Sequence, residues 1–338
     1  MPDISIIVPV LNEEKSIGLF LDTVHPILGD MAFDYEIIFV DDGSTDATSA
    51  VIHAAHESDP SVKLVRLSRN FGKEAALTAG LDFSSGEAVI PMDVDLQDPP
   101  ELIVEFVRLW RDGFDVVFGQ RVARHSDTGS KRISAGLFYR LFNHVAAHPI
   151  DENAGDYRLM SRKVVNDILK LRERNRFMKG LFSWVGYKSA AVPYERPARA
   201  AGETKFSYWK LWNFALDGIT SFSTVPLRIW TYIGGAVALG AMFYTAIILA
   251  RTLIFGRDVP GYASLMVVIL TLGAVQLISL GIIGEYLGRL YVEVKQRPIY
   301  LVGATTGLEP ENAQEQHVAS QMNTAETVSL KNVVAGRS

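Results

Sequence analysis

The string Asp93-Val94-Asp95-Leu96-Gln97-Asp98-Pro99-Pro100 carries the clearest chemistry in this chain. Two carboxylates at alternate positions, followed by an amide oxygen, can gather the hard oxygen ligands that Mg²⁺ or Mn²⁺ require. A cation seated there would bridge a nucleotide diphosphate and neutralise charge on a leaving group. Asp93, Asp95 and Gln97 are therefore the candidate metal ligands. The same residues could instead form a turn and a helix cap ahead of Pro99, and the spacing alone leaves both uses open. Other chemistries are poorly served. There is no cysteine, which excludes disulfides, thiolate metal sites and thiol nucleophiles together. The histidines show no zinc-site spacing, and neither a G-x-S-x-G nor a P-loop string occurs. A net charge of −5 and a pI near 5.8 argue against wholesale nucleic-acid binding.

Residues with these roles need a scaffold that holds them at one edge. The apolar, β-branched run Ile4 to Val10 predicts a strand, and a helical pattern opens at Leu11 and continues to about His25. The plan repeats with a strand over Glu36 to Val40 and a helix over Ala47 to Glu57, then a strand over Val62 to Leu67 and a helix over Lys73 to Phe83. Strands over Ala88 to Met92, Asp115 to Phe118 and Lys188 to Tyr194 complete the α/β pattern, with further helices over Ile133 to Ala147 and Ser161 to Leu171. Alternation of this kind predicts a mostly parallel, Rossmann-like sheet, with ligands bound beyond the carboxyl ends of its strands. The polar clusters, including Asp41 to Asp46 and Asp93 to Asp98, sit at those ends. Residues 121 to 134 read as a mobile basic loop beside the site, and Lys73 as either a phosphate contact or a helix-start residue.

The character changes near residue 200. Aromatic and apolar groups from Tyr208 to Ile219, beside Lys205 and Lys210, fit an interfacial amphipathic helix. Ile229 to Ala250 and Ala263 to Gly284 then contain no charged residue, and each exceeds the ~20 residues needed to cross a bilayer core. Basic residues crowd the flanks of this pair, against Arg251 and Arg257 between the spans, which places the first domain and both termini on the cytoplasmic side. The expected organisation is a catalytic domain over 1–200, juxtamembrane helices over 201–228, a membrane hairpin over 229–290 and a largely disordered tail over 291–338.

Taken as a set, Val8 to Glu14, Asp41 to Asp46, Arg69-Asn70-Phe71-Gly72-Lys73 and the D-x-D string resemble the family 2 glycosyltransferases of the GT-A fold. Asn153 to Arg162, Gly202 to Phe206 and Ile219 to Trp230, with the paired spans, are similar to the polyprenyl-phosphate glycosyltransferases, bactoprenol glucosyltransferases above all. The resemblance implies transfer of glucose from a UDP-sugar donor, UDP-glucose, to a polyprenyl phosphate acceptor, undecaprenyl phosphate, with inversion at the anomeric carbon, Mg²⁺ or Mn²⁺, the inner membrane and a tetramer. It implies that Pro9, Glu13 and Asp41 hold the uridine, and that Asp93, Asp95 and Gln97 hold the metal, with Asp95 counted as catalytic. Val94 departs from the family's usual D-A-D. Like charges on the two substrates call for intervening cations: Arg121, Lys131 and Arg132 for the acceptor phosphate, Arg199 and Lys205 for the donor diphosphate. Asp156 is the candidate base or positioning carboxylate, with a salt bridge to Arg158 or Arg162 as the alternative. The sugar itself is not legible, and a mannosyl, formamido-arabinosyl or aminosugar transferase, or a silent membrane scaffold, are the rival readings.

Overall fold

The β-branched runs do pair with one another. A computed structural model describes residues 2–122, 154–174, 176, 178–195, 225–255 and 261–308. The elements run β1 (Ile4–Val10), α1 (Ser16–Asp30), β2 (Tyr35–Asp41), α2 (Thr48–Ser58), β3 (Val62–Leu67), α3 (Lys73–Phe83), β4 (Ala88–Pro91), α4 (Leu102–Arg111) and β5 (Val116–Arg121). There follow β6 (Ala154–Ser161), α5 (Arg162–Lys170), α6 (Met178–Trp184), β7 (Ser189–Tyr194), the long helices α7 (Val225–Phe255) and α8 (Tyr262–Val294), and β8 (Val302–Thr306). The sheet has eight strands in the order β7-β5-β6-β4-β1-β2-β3-β8. Strands β4, β1, β2 and β3 are parallel, as are β5 and β7; β6 lies antiparallel between β4 and β5.

Side chains alternate across a strand, so a strand buried on both faces feeds two cores. Ile4, Ile6, Val8, Ile37 and Phe39 join one cluster with the apolar stripe of α1 (Ile17, Phe20, Val24, Leu28) and of α4 (Ile103, Phe106, Val107). Ile7, Ile38 and Val40 join the other, under α3, α5 and α6. Helix α3 lies so close to β1 that a Cβ added at Gly80 would stand 2.1 Å from Ile7 Cγ2.

Two expectations change and a third is met in part. Helix α1 starts at Ser16 rather than Leu11, because Asn12 takes a left-handed conformation (φ 56°) and its Oδ1 accepts the Thr45 N–H at 2.9 Å, stitching the loop after β1 to the loop after β2. The tail beyond residue 291 is not wholly without structure, since β8 pairs antiparallel with β3. Its sequence is short and weakly apolar, and what fixes it is the otherwise open β3 edge and Tyr300, whose hydroxyl donates to Asp82 Oδ2 at 2.7 Å beside the Arg172–Asp82 ion pair. Tyr300→Phe is expected to lower the unfolding free energy by about 1–2 kcal/mol, since it removes a hydrogen bond to a carboxylate, and denaturant titration would read the drop. Among the described residues one stretch, Thr271–Val294, is long and apolar enough to cross a membrane, where two were expected. The proposed amphipathic helix, the helix over 133–147 and all of the basic loop after Val122 lie outside the described residues.

Candidate active site

The strand order reverses about β1: the chain proceeds outward through β2 and β3, then returns to place β4 on β1's other side. Crevices form at such a switch point, beyond the carboxyl ends of the strands. Ile7 pairs with Pro91, so Pro9 and Asp93 leave neighbouring strands at the same end, and Asp41 follows as the partner of Val10 on β2. Three loops are cross-braced there, those after β1, β2 and β3. The Glu13 N–H donates to Thr48 Oγ1 at 2.9 Å, the Asn12 N–H to Ser44 Oγ at 2.9 Å, and the Phe71 and Gly72 N–H groups to the Asp42 carboxylate at 2.7 and 2.8 Å. Gly43 is required in this brace: it sits at φ 75°, and a Cβ would come within 2.6 Å of the Arg69 carbonyl carbon. Asp41 is fully buried, accepting the Ser44 N–H at 2.8 Å and the Ser49 hydroxyl, while Glu13 accepts the Ser16 hydroxyl at 2.6 Å.

Beside this brace opens a cavity of 280 Å³ whose polar lining includes Lys73, Asp93, Asp98, Arg121, Asp156 and Lys179. Lys73 Nζ lies 2.7 Å from Asp93 and 3.2 Å from Asp156, linking the D-x-D turn to strand β6. Burial opposes the Lys73 charge, but Asp93 and Asp156 outweigh it and hold its pKa above the usual lysine value. Burial likewise tends to raise the Asp156 carboxyl, and Lys73, Lys179 and Arg158 reverse this, leaving it below its ordinary range. A carboxylate so held is ionised throughout the neutral range and is a weak proton acceptor, which favours positioning over base chemistry. The expected alternative is also revised. Asp156 pairs with Lys73, whereas Arg162 donates to the Gly86 carbonyl at 2.8 Å and Arg158 to the Gly155 carbonyl at 2.7 Å.

Arg121 ends β5 rather than entering the loop. Its Nε donates to the Tyr194 hydroxyl at 3.0 Å and its Nη2 lies 3.5 Å from Asp98, which also accepts the Tyr194 hydroxyl. Burial and Asp98 push the Tyr194 phenol up to about 12, so it remains a donor. Lys131, Arg132, Arg199 and Lys205 lie outside the described residues.

Among the described residues no group of three acidic or histidine side chains could hold a metal, and the D-x-D turn offers two carboxylates and one amide oxygen as donors. Leu96 turns the chain at φ 53°, bringing the Gln97 N–H to Asp95 Oδ1 at 3.2 Å. Gln97 is 4% exposed, yet its Oε1 has no hydrogen-bond partner. An orphaned buried acceptor costs about 1–3 kcal/mol, and a hard cation would satisfy it, so the donors fit Mg²⁺ or Mn²⁺.

Sequence reasoning missed Lys179, Tyr194, Asp98 and Glu74. Glu74, next to Lys73 on α3, accepts the Met178 N–H at 3.2 Å, and burial together with Asp156 raises its carboxyl to about 7. Between the ordinary glutamate value and about 7 the native state therefore holds a proton that the unfolded chain has released, so stability falls as pH rises through that window. Glu74→Gln should remove this slope, leaving the variant more stable than the parent at pH 8 by up to about 3 kcal/mol and equal to it below pH ~4, read by thermal melts across pH.

An α/β sheet whose switch point gathers carboxylates and cations around one cavity has the frame of a ligand-binding site. Residues 5–169 match the family described as glycosyl transferase family 2, and residues 225–290 match the GtrB C-terminal hairpin. The bactoprenol glucosyl transferase of Shigella phage SfII is 53% identical over 299 residues, 88% of this chain and 97% of that protein. A prophage bactoprenol glucosyl transferase homolog of Escherichia coli K12 is 52% identical, covering 88% of this chain and 98% of that protein. An uncharacterized glycosyltransferase of Synechocystis sp. is 52% identical over 307 residues, 91% of this chain and 96% of that one. The chain belongs to the family 2 glycosyltransferases and is an enzyme of that class.

Proposed function

We propose that the chain transfers a glucosyl residue from UDP-glucose to undecaprenyl phosphate, with inversion, at the cytoplasmic face of the inner membrane. The observation that carries this reading is the cavity that Asp93, Arg121 and Asp156 share at the switch point, in a chain 53% identical to a bactoprenol glucosyl transferase. In this reading Pro9, Glu13 and Asp41 hold the uridine, and Asp93, Asp95 and Gln97 hold Mg²⁺ or Mn²⁺. When bound, the cation would neutralise charge on the departing diphosphate. Arg121, Lys131 and Arg132 receive the acceptor phosphate, and Arg199 and Lys205 reach the donor. An acceptor oxygen, already ionised near neutral pH, attacks the anomeric carbon as the bond to UDP breaks, so no proton need be removed. Asp156 fixes Lys73 instead of acting as a base.

The membrane reading draws on connectivity. Strand β8, downstream of α8, pairs with β3, upstream of α7, so the chain must return to the side it left. If Thr271–Val294 crosses a bilayer, a second crossing is required, and α7 is placed to make it. Close packing through Gly234, Gly235, Gly273 and Gly281 would suit the hairpin or a tetramer.

The test is transfer from radiolabelled UDP-glucose to undecaprenyl phosphate in detergent, with and without Mg²⁺ or Mn²⁺, beside GDP-mannose and other nucleotide sugars. Metal-dependent labelling of the lipid by glucose is expected. Labelling only by another sugar overturns the donor assignment, and none by any sugar overturns the reaction.

A further inference from the structure

Among the described residues three cationic side chains line the cavity, and two of them are engaged within the protein. Lys73 is held by Asp93 at 2.7 Å and Asp156 at 3.2 Å, and Arg121 by Asp98 at 3.5 Å and the Tyr194 hydroxyl at 3.0 Å. Lys179, the third, makes no hydrogen bond or ion pair within 4.0 Å among the described residues, though its charge acts on Asp156 and Glu74. Its backbone is nevertheless firmly placed. Met178 is fully buried and bonded to Glu74, Leu181 is 1% exposed, and the Phe182 ring stacks under the Arg158 guanidinium at 3.9 Å. Helix α6 thus holds Lys179 at the cavity wall from a fixed base.

We infer that Lys179 is a binding residue for a phosphate group of one of the two substrates, a contact distinct from those of Arg121 and the D-x-D turn. The inference rests on the reaction proposed above for the identity of those substrates, but not for the anion chemistry. An ammonium is a compact charge on a flexible stem with three donors, suited to follow a phosphate whose position shifts as a bond is transferred. The competing explanation is structural, with Lys179 serving only to offset the charges of Asp156 and Glu74. That role would move the pH profile and the melting temperature and leave the Michaelis constants alone.

The experiment uses the full-length protein in detergent and compares Lys179→Gln, Lys179→Arg and, as a surface-charge control, Lys170→Gln. Steady-state constants are measured for UDP-glucose and undecaprenyl phosphate separately, and calorimetry measures binding of UDP and of farnesyl phosphate. Loss of one charge-assisted contact is expected to raise KM and the matching dissociation constant about tenfold or more for one phosphate ligand. The arginine variant should recover most of the loss and the control should match the parent. A rise confined to undecaprenyl and farnesyl phosphate places the contact on the acceptor, and one confined to UDP-glucose and UDP places it on the donor; either supports the inference. Unchanged constants for both ligands, in protein that melts and titrates differently, overturn it in favour of the structural role, and unchanged constants without such a shift overturn it outright. The calorimetric arm decides Lys179 even if the parent transfers no glucose, an outcome that would count against the reaction alone.

Discussion

Asp95→Asn is expected to reduce sugar transfer by roughly a thousandfold, the loss of several kcal/mol of charge stabilisation, while the protein folds normally. The fold should tolerate the change because Asp95 is only partly buried and its one hydrogen bond, accepted from the Gln97 N–H at 3.2 Å, can be accepted equally by an asparagine oxygen. What disappears is the negative charge that Asp95 contributes beside Asp93, and with it, under the proposed function, affinity for a divalent cation. Raising Mg²⁺ or Mn²⁺ should therefore recover part of the rate, which separates a weakened metal site from a misfolded one. A variant that melts like the parent and glycosylates lipid at the parent's rate would remove the D-x-D turn from the chemistry.

Asp156→Asn should cost on the order of a hundredfold or more in kcat by disturbing the charged groups around the reacting bond. Its isosteric amide can still accept from Lys73 but brings no charge to hold it, so the ammonium shifts toward Asp93, and Lys179 and Arg158 lose the charge that they stabilise. The pH dependence distinguishes its roles. Because the native carboxyl lies below its ordinary value, its stabilising effect is fully present above that value and is lost only as pH falls through the depressed one. Because Asp156 also helps to hold the Glu74 carboxyl near 7, the comparison is made in a Glu74→Gln background, where activity should show no limb near pH 7 that vanishes on adding Asp156→Asn. Such a limb in that background would identify Asp156 as a general base after all.

Six of the eight strands and the D-x-D turn were legible because each is written locally, as short apolar runs bounded by polar clusters, whereas β6 and β8 were not read as strands. What the turn faces was not. Lys73 looked equally like a helix opener, and it is one, but its partnership with Asp156 depends on β6 inserting antiparallel between β4 and β5, a choice no local pattern encodes. The same insertion aligns β7 with β5 and delivers Tyr194 to Arg121. Lys179 belongs to a helix of 7 residues, too short for periodicity to declare which side chains face a cavity. Strand β8 was hidden for another reason, since its anchor Tyr300 meets Asp82 across 218 residues and only the folded sheet edge reveals the need for it.

That last strand shortens the leash on the enzyme. Residues 295–301, even fully extended, let Val302 lie no more than roughly 28 Å from the end of α8. A further hydrogen bond, from the Arg174 N–H to Glu293 at 2.9 Å, ties the body of the domain to the helix itself. With α8 seated in a bilayer, the catalytic head could neither tumble nor drift away between turnovers, and a lipid sliding in the leaflet would meet its mouth at a nearly constant height.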